Sequence, residues 1–369
     1  MPIDREASVD RLAVFLGATL YMPATRSTIA KDLLALGRSG LTSAVLCLED
    51  AIPDNSLKGA EENLVVQLDR YYSEGFLGSS LPLVFVRVRD PEQIGRLVAA
   101  LGAAGRHLTG FVLPKFDPTI GREFLEEVRL LSIHSGVRYL SMPVVETTTF
   151  MHLESRIPYL LDTRRLLAEY PEQVLGVRFG VTDLLSLYGM RRGPETTVYD
   201  IPLIAGALSD LLNVLGRFDG GHAVSGPVWE HFAPTDRVFK PQLRQTPFEA
   251  RRASQLRQSL LTNDMDGLIR EVLLDRANGL VGKTVIHPSH VLPVHALSVV
   301  PYEEFQDAVD IVSSLASGGV MASQSRNKMN EGKPHATWAK RTLLRAEVFG
   351  VAAPEVSFVE FLQAGYHQP

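Results

Sequence analysis

Short apolar runs alternate with longer segments of helical period over most of this chain. An apolar run rich in β-branched residues is typical of a parallel strand buried on both faces, and apolar residues spaced three and four apart are typical of a helix packed against such strands. The apolar runs predict strands at 12–22, 43–48, 83–88, 110–115, 139–145, 174–181, 222–228 and 282–288. The segments between them predict helices at 29–36, 56–72, 91–105, 118–134, 149–168, 200–215 and 247–277.

Eight strands that alternate with helices predict an α/β protein, a (β/α)₈ TIM barrel, over residues 1–290. The chain has no P-loop and no G-x-G-x-x-G turn after a strand, so an open nucleotide-binding sheet loses support. Residues 291–369 predict a C-terminal helical extension, with helices at 302–316, 335–349 and 354–364. The polar stretch 317–333 within it predicts a loop, for which two interpretations stay open: a lid over the barrel mouth and a solvated connector.

Composition and charge narrow the class of protein. The 369 residues are 45% hydrophobic and 21% charged, which suits a large packed core. The net charge of −5 argues against a general nucleic-acid-binding protein. The single cysteine, Cys47, excludes an internal disulfide framework and a cysteine-based zinc site. The sequence has neither a signal-peptide core nor a membrane-spanning run, so we expect a cytoplasmic protein without a membrane or nucleic-acid partner.

Two carboxylates follow the fifth and sixth predicted strands. The run 142–145 ends at Glu146 and the run 179–182 ends at Asp183, 37 residues later. Because the C-terminal ends of barrel strands share one mouth, both side chains would point into the same site. A hard cation such as Mg²⁺ prefers oxygen ligands and leaves coordination positions for a substrate. The alternative is that both residues merely cap the helices that follow, as acidic residues at helix N-termini often do.

Further polar and charged residues lie at the ends of the predicted strands. Such side chains are unfavourable to bury unless they pair or bind a ligand. Each has a structural explanation of its own, since Lys115 could be a solvated loop lysine and His287 could bond to the backbone. Together they suggest a rim of both charges that holds an anionic, oxygen-rich substrate to a metal. The set comprises Arg26, Glu49, Asp50, Arg87, Lys115, Glu146, Asp183 and His287.

Seven short motifs carry these residues in a specific order over most of 17–290. They are Tyr21-Met-Pro-Ala-Thr-Arg26-Ser, Leu48-Glu49-Asp50-Ala, Val86-Arg87-Val, Pro114-Lys115, Val145-Glu146-Thr, Gly180-Val-Thr-Asp183-Leu and Gly282-Lys-Thr-Val-Ile-His287-Pro. The chain resembles the citrate lyase β-subunit-like branch of the HpcH/HpaI aldolase superfamily, Mg²⁺-dependent carbon–carbon bond lyases on (β/α)₈ barrels. The segments 225–230 and 328–338 resemble a lyase-like group linked with tellurium-resistance gene clusters.

The resemblance implies how the matched residues would act at the metal. Glu146 and Asp183 would ligate Mg²⁺, with waters and substrate oxygens completing its coordination. Arg87 would hold the substrate carbonyl or carboxylate and stabilise the enolate that forms on cleavage. A dication and a guanidinium beside the developing negative charge would be the main catalytic contribution.

The remaining matched residues would act around that centre. By the same resemblance, Glu49 and Asp50 would assist catalysis by fixing the metal-bound waters and the guanidinium of Arg87. Arg26 would bind a carboxylate or phosphate of the substrate, and Lys115 would be a second substrate-binding cation. The implied activity is a Mg²⁺-dependent lyase or aldolase acting on an oxo acid or an acyl thioester of the CoA type. The resemblance also implies a homo-oligomer.

Three departures from the family pattern leave the activity open. Cys47 replaces the first residue of the usual Asp-Leu-Glu-Asp motif. Thioester-cleaving relatives carry an Asp after the Lys-Met of their lid, but Lys328-Met329 is followed here by Asn330, and an amide cannot serve as acid or base. The loop 188–200, with Arg191 and Arg192, matches nothing in the family and could bind a phosphate or a different acyl carrier.

Two other functions therefore stay open beside the lyase. One is a non-catalytic barrel that serves as a scaffold or carrier-binding subunit of a biosynthetic complex, which the substitutions at Cys47 and Asn330 would suit. The other is a phosphoenolpyruvate-dependent enzyme that forms an enolate on the same kind of barrel. The sequence leaves the substrate, the direction of reaction and the number of subunits undetermined.

Overall fold

The computed structural model describes residues 4–50, 52–75, 81–232, 265–315, 320–323 and 327–366. Eight parallel strands form a closed barrel in which each strand pairs with the next and the eighth pairs with the first. They are β1 Ala18–Pro23, β2 Ser43–Cys47, β3 Leu83–Arg87, β4 Gly110–Leu113, β5 Leu140–Val145, β6 Val177–Phe179, β7 Val224–Trp229 and β8 Val281–Val285. The predicted (β/α)₈ barrel is confirmed.

Helices alternate with these strands. The helices of this part of the chain are α1 Val9–Phe15, α2 Ile29–Arg38, α3 Leu57–Gly75, α4 Pro91–Leu101, α5 Pro118–Ser135, α6 Thr148–Met151, α7 Leu153–Leu167, α8 Val181–Ser186, α9 Pro202–Leu215 and α10 Met265–Ala277. Strands β2 and β5 are buried at every position, which is why each is a continuous apolar run. The part of the predicted helix 247–277 that precedes residue 265 lies outside the described residues.

The first predicted strand, 12–22, is wrong in its first half. Residues Val9–Phe15 form α1, whose N-cap Ser8 accepts a hydrogen bond from the Arg11 backbone N–H. Gly17 then adopts a φ of +53°, a conformation that glycine enters without steric penalty, and β1 begins after it. The apolar run is continuous in sequence because a helix and a buried strand share one core, so its length alone did not separate them.

The sixth predicted strand, 174–181, is longer than the strand observed. Val174 makes only an isolated bridge to Ser141, and β6 spans Val177–Phe179. Gly180 is the N-cap of α8, so Asp183 lies in the first turn of that helix rather than at a strand tip. A helical turn directly after β6 still leaves the side chain at the C-terminal end of the barrel.

A buried network of charges joins β8 to α10 on the outside of the barrel. The Lys283 ammonium, fully buried, lies 2.7 Å from a Glu271 carboxylate oxygen and 2.6 Å from one of Asp275. Arg192, also buried, lies 2.5 Å from Glu271 and 3.0 Å from Glu230. Arg192 therefore pairs inside the protein, which opposes the interpretation that this arginine of the loop 188–200 reads an external phosphate.

The described residues divide into two compact units. One contains the barrel, with residues up to His231 and Arg270–Val291, and the other contains 265–269 and the residues from Leu292 onward. The described helices after the barrel are α11 Val291–Ser298, α12 Tyr302–Ser314, α13 Gly332–Phe349 and α14 Phe358–Tyr366. The last three lie where helices were predicted, whereas α11 was missed. Among the described helices, none is long and apolar enough to cross a membrane.

The stretch 317–333, predicted as a loop, contains a small antiparallel hairpin. Strand β9 Val320–Ala322 pairs with β10 Met329–Glu331. Lys328 lies 2.9 Å from Glu303 and 2.7 Å from Asp307, and the Asn330 amide donates to Asp307 at 2.8 Å. Contacts with α12 thus hold this segment in place. The polar composition of the segment did not predict them, because the contacting residues lie more than twenty positions away in the sequence.

Candidate active site

Arg87 is the centre of a charged cluster at the C-terminal end of the barrel. It is the last residue of β3, and its Nη2 lies 2.5 Å from Glu49, 3.1 Å from Asp50 and 3.1 Å from Glu146. Although burial acts to lower the pKa of Arg87, the negative charge of Glu146 and of its other neighbours raises it well above its usual range. The guanidinium is thus held charged in a largely buried position.

Lys115 joins the same cluster from the neighbouring strand. It follows β4, and its Nζ lies 2.8 Å from Glu49 and 3.0 Å from Asp50. Its backbone N–H donates to Glu146 Oε1 at 2.8 Å, in a left-handed conformation with φ of +45°. A residue other than glycine is strained in this left-handed backbone conformation, so the surrounding contacts must hold Lys115 in it.

Glu49 and Asp50 act as a pair between the two cations. Burial and a hydrogen bond with Asp50 raise the pKa of Glu49. Burial also acts to raise the pKa of Asp50, but hydrogen bonds with Glu49 and Lys115 hold it below its usual range. The pair therefore keeps a proton more readily at Glu49, while Asp50 stays ionised beside Lys115 and Arg87.

Glu146 lies directly after β5 and is only 5% exposed. Burial raises the pKa of Glu146 to about 7, against the opposing charge of Arg87 and with the help of Asp183. Burial and the charge of Asp50 likewise raise the pKa of Asp183. Glu146 does not cap the following helix, because the Thr147 side chain accepts from the Phe150 backbone N–H there. This observation weakens the capping alternative for Glu146.

The donor set of Glu146 and Asp183 fits a magnesium ion. Both donors are hard carboxylate oxygens, and Mg²⁺ is commonly held by one or two carboxylates with waters and substrate completing the octahedron. In the described part of the chain, no group of three or more His, Cys, Asp or Glu side chains is arranged to hold a metal. Two carboxylates would leave the other coordination positions of the ion to water and substrate.

The absence of a side chain at Gly180 leaves room for the Glu146 carboxylate. A Cβ on this glycine would lie 2.2 Å from Glu146 Oε2 and 2.5 Å from its Cβ. We expect Gly180→Ala to displace the Glu146 carboxylate and lower kcat/KM about a hundredfold, the effect of misplacing a reacting group by an ångström. The control is Gly206→Ala on α9, where nothing lies within 4 Å of the added Cβ. Equal kcat/KM in the two variants would contradict this expectation.

Arg89 fixes the loop that carries Glu49 and Asp50, a role the sequence analysis missed. Its Nε donates to the Leu48 carbonyl at 2.7 Å, and its other nitrogens contact the Ile52 carbonyl and the Asp54 carboxylate. Its position two residues after Arg87, just beyond the end of β3, was the sequence feature that could have indicated this role.

A cavity of about 510 Å³ lies beside this loop. Charged groups of the cluster line one part of it, and apolar side chains of α5 line another. Its lining includes Glu49, Asp50, Arg89, Lys115, Ile120 and Phe124. The cavity therefore adjoins the side of the cluster formed by Glu49, Asp50 and Lys115.

Two residues of the predicted rim contact residues that are close to them in sequence. Arg26 is half exposed, and its Nε lies 2.5 Å from Asp32 and 3.2 Å from Thr28. The His287 ring bonds to Ser289 at 2.7 Å. In the part of the chain that the structure describes, no ion pair joins Arg26 to the cluster, so its predicted role in binding a substrate anion stays a prediction.

Comparison with known proteins gives one family and several similar structures. A family model described as carbon–carbon bond lyases of the TIM-barrel fold matches residues 10–351. A citrate lyase from Burkholderia xenovorans LB400 has a TM-score of 0.60 and 18% identity, covering 94% of this chain and 96% of that one. The CitE protein of Mycobacterium tuberculosis, solved with magnesium, acetoacetate and coenzyme A, has a TM-score of 0.55 and 18% identity, covering 93% and 100%. No curated protein matches the chain.

Proposed function

Because the chain belongs to the family of carbon–carbon bond lyases of the TIM-barrel fold, we propose that it breaks or forms a carbon–carbon bond next to the carbonyl of an oxo acid or an acyl thioester, with Mg²⁺ as cofactor. The supporting observation is the arrangement around Arg87, whose guanidinium contacts three carboxylates from two segments. Glu49 and Asp50 follow β2, Glu146 follows β5, and Asp183 lies near enough for its charge to interact with Arg87. The similar CitE protein was solved with magnesium, acetoacetate and coenzyme A, and the proposal extends this ligand class to the present chain.

In the proposed mechanism several residues of the cluster stabilise the negative charge that develops on the substrate. Mg²⁺ held by Glu146 and Asp183 would supply Lewis-acid polarisation of the substrate carbonyl. In the cleavage direction, a carboxylate of the cluster would take the hydroxyl proton of the fragment that becomes a carbonyl, and the electron pair of the broken bond would pass into the other fragment as an enolate. Arg87 would donate hydrogen bonds to the enolate oxygen where charge develops, and the proton would return to the enolate carbon. Glu49 and Asp50 hold Arg87 and Lys115 in position, so little reorganisation is needed during the reaction.

Asn330, at the position where thioester-cleaving relatives carry an Asp, does not itself supply the acid or base of a thioester hydrolysis. Its amide has no titratable proton, is 4% exposed, and donates to Asp307 of the same unit. The proposal is therefore limited to the carbon–carbon bond step, and it takes the thioester only as one class of substrate.

Titration calorimetry tests the proposal directly. We expect Mg²⁺ to bind this protein more tightly in the presence of pyruvate or oxaloacetate than in their absence, because metal and oxo acid would share one site. Phosphoenolpyruvate is tested as a third ligand, to distinguish the lyase from the phosphoenolpyruvate-dependent enzyme. Binding of none of these ligands in a metal-linked manner would favour the non-catalytic scaffold, and metal-linked binding of phosphoenolpyruvate alone would favour the phosphoenolpyruvate-dependent enzyme.

A further inference from the structure

Arg178 lies inside the barrel, in the middle of the short strand β6. Its Nη1 donates to Thr284 Oγ1 of β8 at 2.8 Å, and its guanidinium lies 5.5 Å from the ring centre of Tyr21 in β1. Strand β7 separates β6 from β8 around the barrel, so a side chain that reaches β8 and β1 crosses the interior. Arg178 is 3% exposed, and it forms a buried cationic group within the barrel.

The guanidinium of Arg178 keeps two donors without acceptors. Nε and Nη2 are buried and have no hydrogen-bond partner in the described structure. These two nitrogens share one edge of the planar group, the edge that pairs with both oxygens of a carboxylate. Nor does any carboxylate of the described residues form an ion pair with Arg178, whereas Arg87 and Lys115 are each paired with at least two.

This open edge lies close to the candidate metal site. Arg178 is aligned with Val144 across β5 and β6, and Gly180, two residues further along, lies against Glu146. Two residues of strand span roughly 7 Å, so Arg178 is about one side-chain layer deeper than the Glu146 carboxylate. Tyr21 lies near both levels, because its ring centre is 5.5 Å from the Arg178 guanidinium and the charges of Arg178 and Arg87 both act to lower its pKa, against the effect of burial.

We propose that Arg178, with Tyr21 and Thr284 beside it, forms a carboxylate-binding subsite in the barrel interior beneath the metal site. This inference rests on the proposed function and names its substrate class more closely: a substrate with a second carboxylate besides the group that reacts at the metal. An unpaired buried guanidinium is energetically unfavourable, and a bidentate carboxylate would satisfy both of its open donors.

Malate and lactate form a matched pair of probes for this subsite. Both have the same 2-hydroxycarboxylate end, and malate carries a second carboxylate on the carbon that is the methyl group of lactate. In calorimetry with Mg²⁺ present, we expect the wild-type protein to bind malate about tenfold or more tightly than lactate, the value of hydrogen bonds to a charged group. Arg178→Met should remove this preference and leave lactate binding within about twofold, and Arg178→Lys should restore part of it.

The outcomes separate the subsite from the proposed function. Retention of the malate preference by Arg178→Met, or its absence in the wild type, overturns the subsite while metal-dependent lactate binding still supports the function. Failure of both ligands to bind a wild-type protein that still binds pyruvate with Mg²⁺ overturns the subsite alone, and failure of pyruvate as well overturns the proposed function. The exposed Arg38→Met at the end of α2 is the control for loss of one positive charge, and it should leave both affinities unchanged.

Thermal stability distinguishes a binding role from a structural one. Because Arg178 is buried without a counter-ion, Arg178→Met should leave Tm unchanged or raise it while malate preference is lost. A structural role in holding Thr284 and Tyr21 predicts the reverse, a fall in Tm with both ligands weakened equally, and that result would overturn the proposal.

Discussion

Glu146→Gln should lower Mg²⁺-dependent turnover about a thousandfold or more while the barrel stays folded. The substitution removes one of two carboxylates proposed to hold the metal, and with it the polarisation of the substrate carbonyl. Glutamine keeps a carbonyl oxygen that can accept the Lys115 backbone N–H, so the local hydrogen bond at Glu146 is preserved. The measurement is kcat/KM at saturating Mg²⁺, with circular dichroism and Tm as checks of folding.

Asp183→Asn tests the other half of the proposed metal pair. We expect a loss of similar size, together with weaker Mg²⁺ binding in calorimetry, because both carboxylates are assigned to the same ion. Glu154→Gln on α7 is the matched control, since Glu154 is exposed and lies outside the cluster. Wild-type turnover in either Glu146→Gln or Asp183→Asn would show that the metal assignment is wrong.

Lys283→Met should reduce the free energy of unfolding by about 3–5 kcal/mol, the range observed when one partner of a buried ion pair is removed. Methionine is similar in length and apolar, so packing is largely preserved while Glu271 and Asp275 lose the ammonium between them. Glu271 keeps its ion pair with Arg192, so the loss of the Lys283 charge affects Asp275 most. Urea unfolding at pH 8 measures the effect, with the exposed Lys31→Met as control.

The same variant has a predictable dependence on pH. Burial raises the pKa of Asp275 to about 6 in the native protein even with the opposing charge of Lys283. Without Lys283 that pKa rises further, so the folded variant takes up a proton that the unfolded chain, with an ordinary carboxyl, does not. The destabilisation should therefore be smaller at pH 5.5 than at pH 8. An equal loss at both pH values, or a loss below about 1 kcal/mol at pH 8, would contradict the network as described.

The family assignment agrees with what the seven motifs implied. Each motif is a few residues at the end of an apolar run, and the family model that matches residues 10–351 confirms the predicted membership in the carbon–carbon bond lyases. The assignment to a tellurium-resistance-linked group, a homo-oligomer and a lid over the barrel stay predictions. The roles of the individual site residues likewise stay proposals until the variants above are measured.

The sequence by itself determined the barrel and the main part of the candidate site. Burial on both faces makes parallel strands apolar at almost every position, so their number and order can be read locally. The carboxylates and cations that interrupt this pattern, Glu49, Arg87, Lys115 and Glu146, stand out because charge at the end of an apolar run needs a partner. These four were predicted together, and the structure brings them into one cluster.

Only the tertiary structure decided which charges face each other. Arg87 and Glu146 are 59 residues apart, and their contact depends on the closure of the barrel rather than on any local spacing. Arg178 and Lys283 each lie within a short strand, where the sequence does not distinguish a cation facing the barrel interior from one facing a helix. Register and neighbouring strands settle this, because alternate residues of a strand point to opposite faces. For that reason the open edge of Arg178 and the paired ammonium of Lys283 became visible only in the folded barrel.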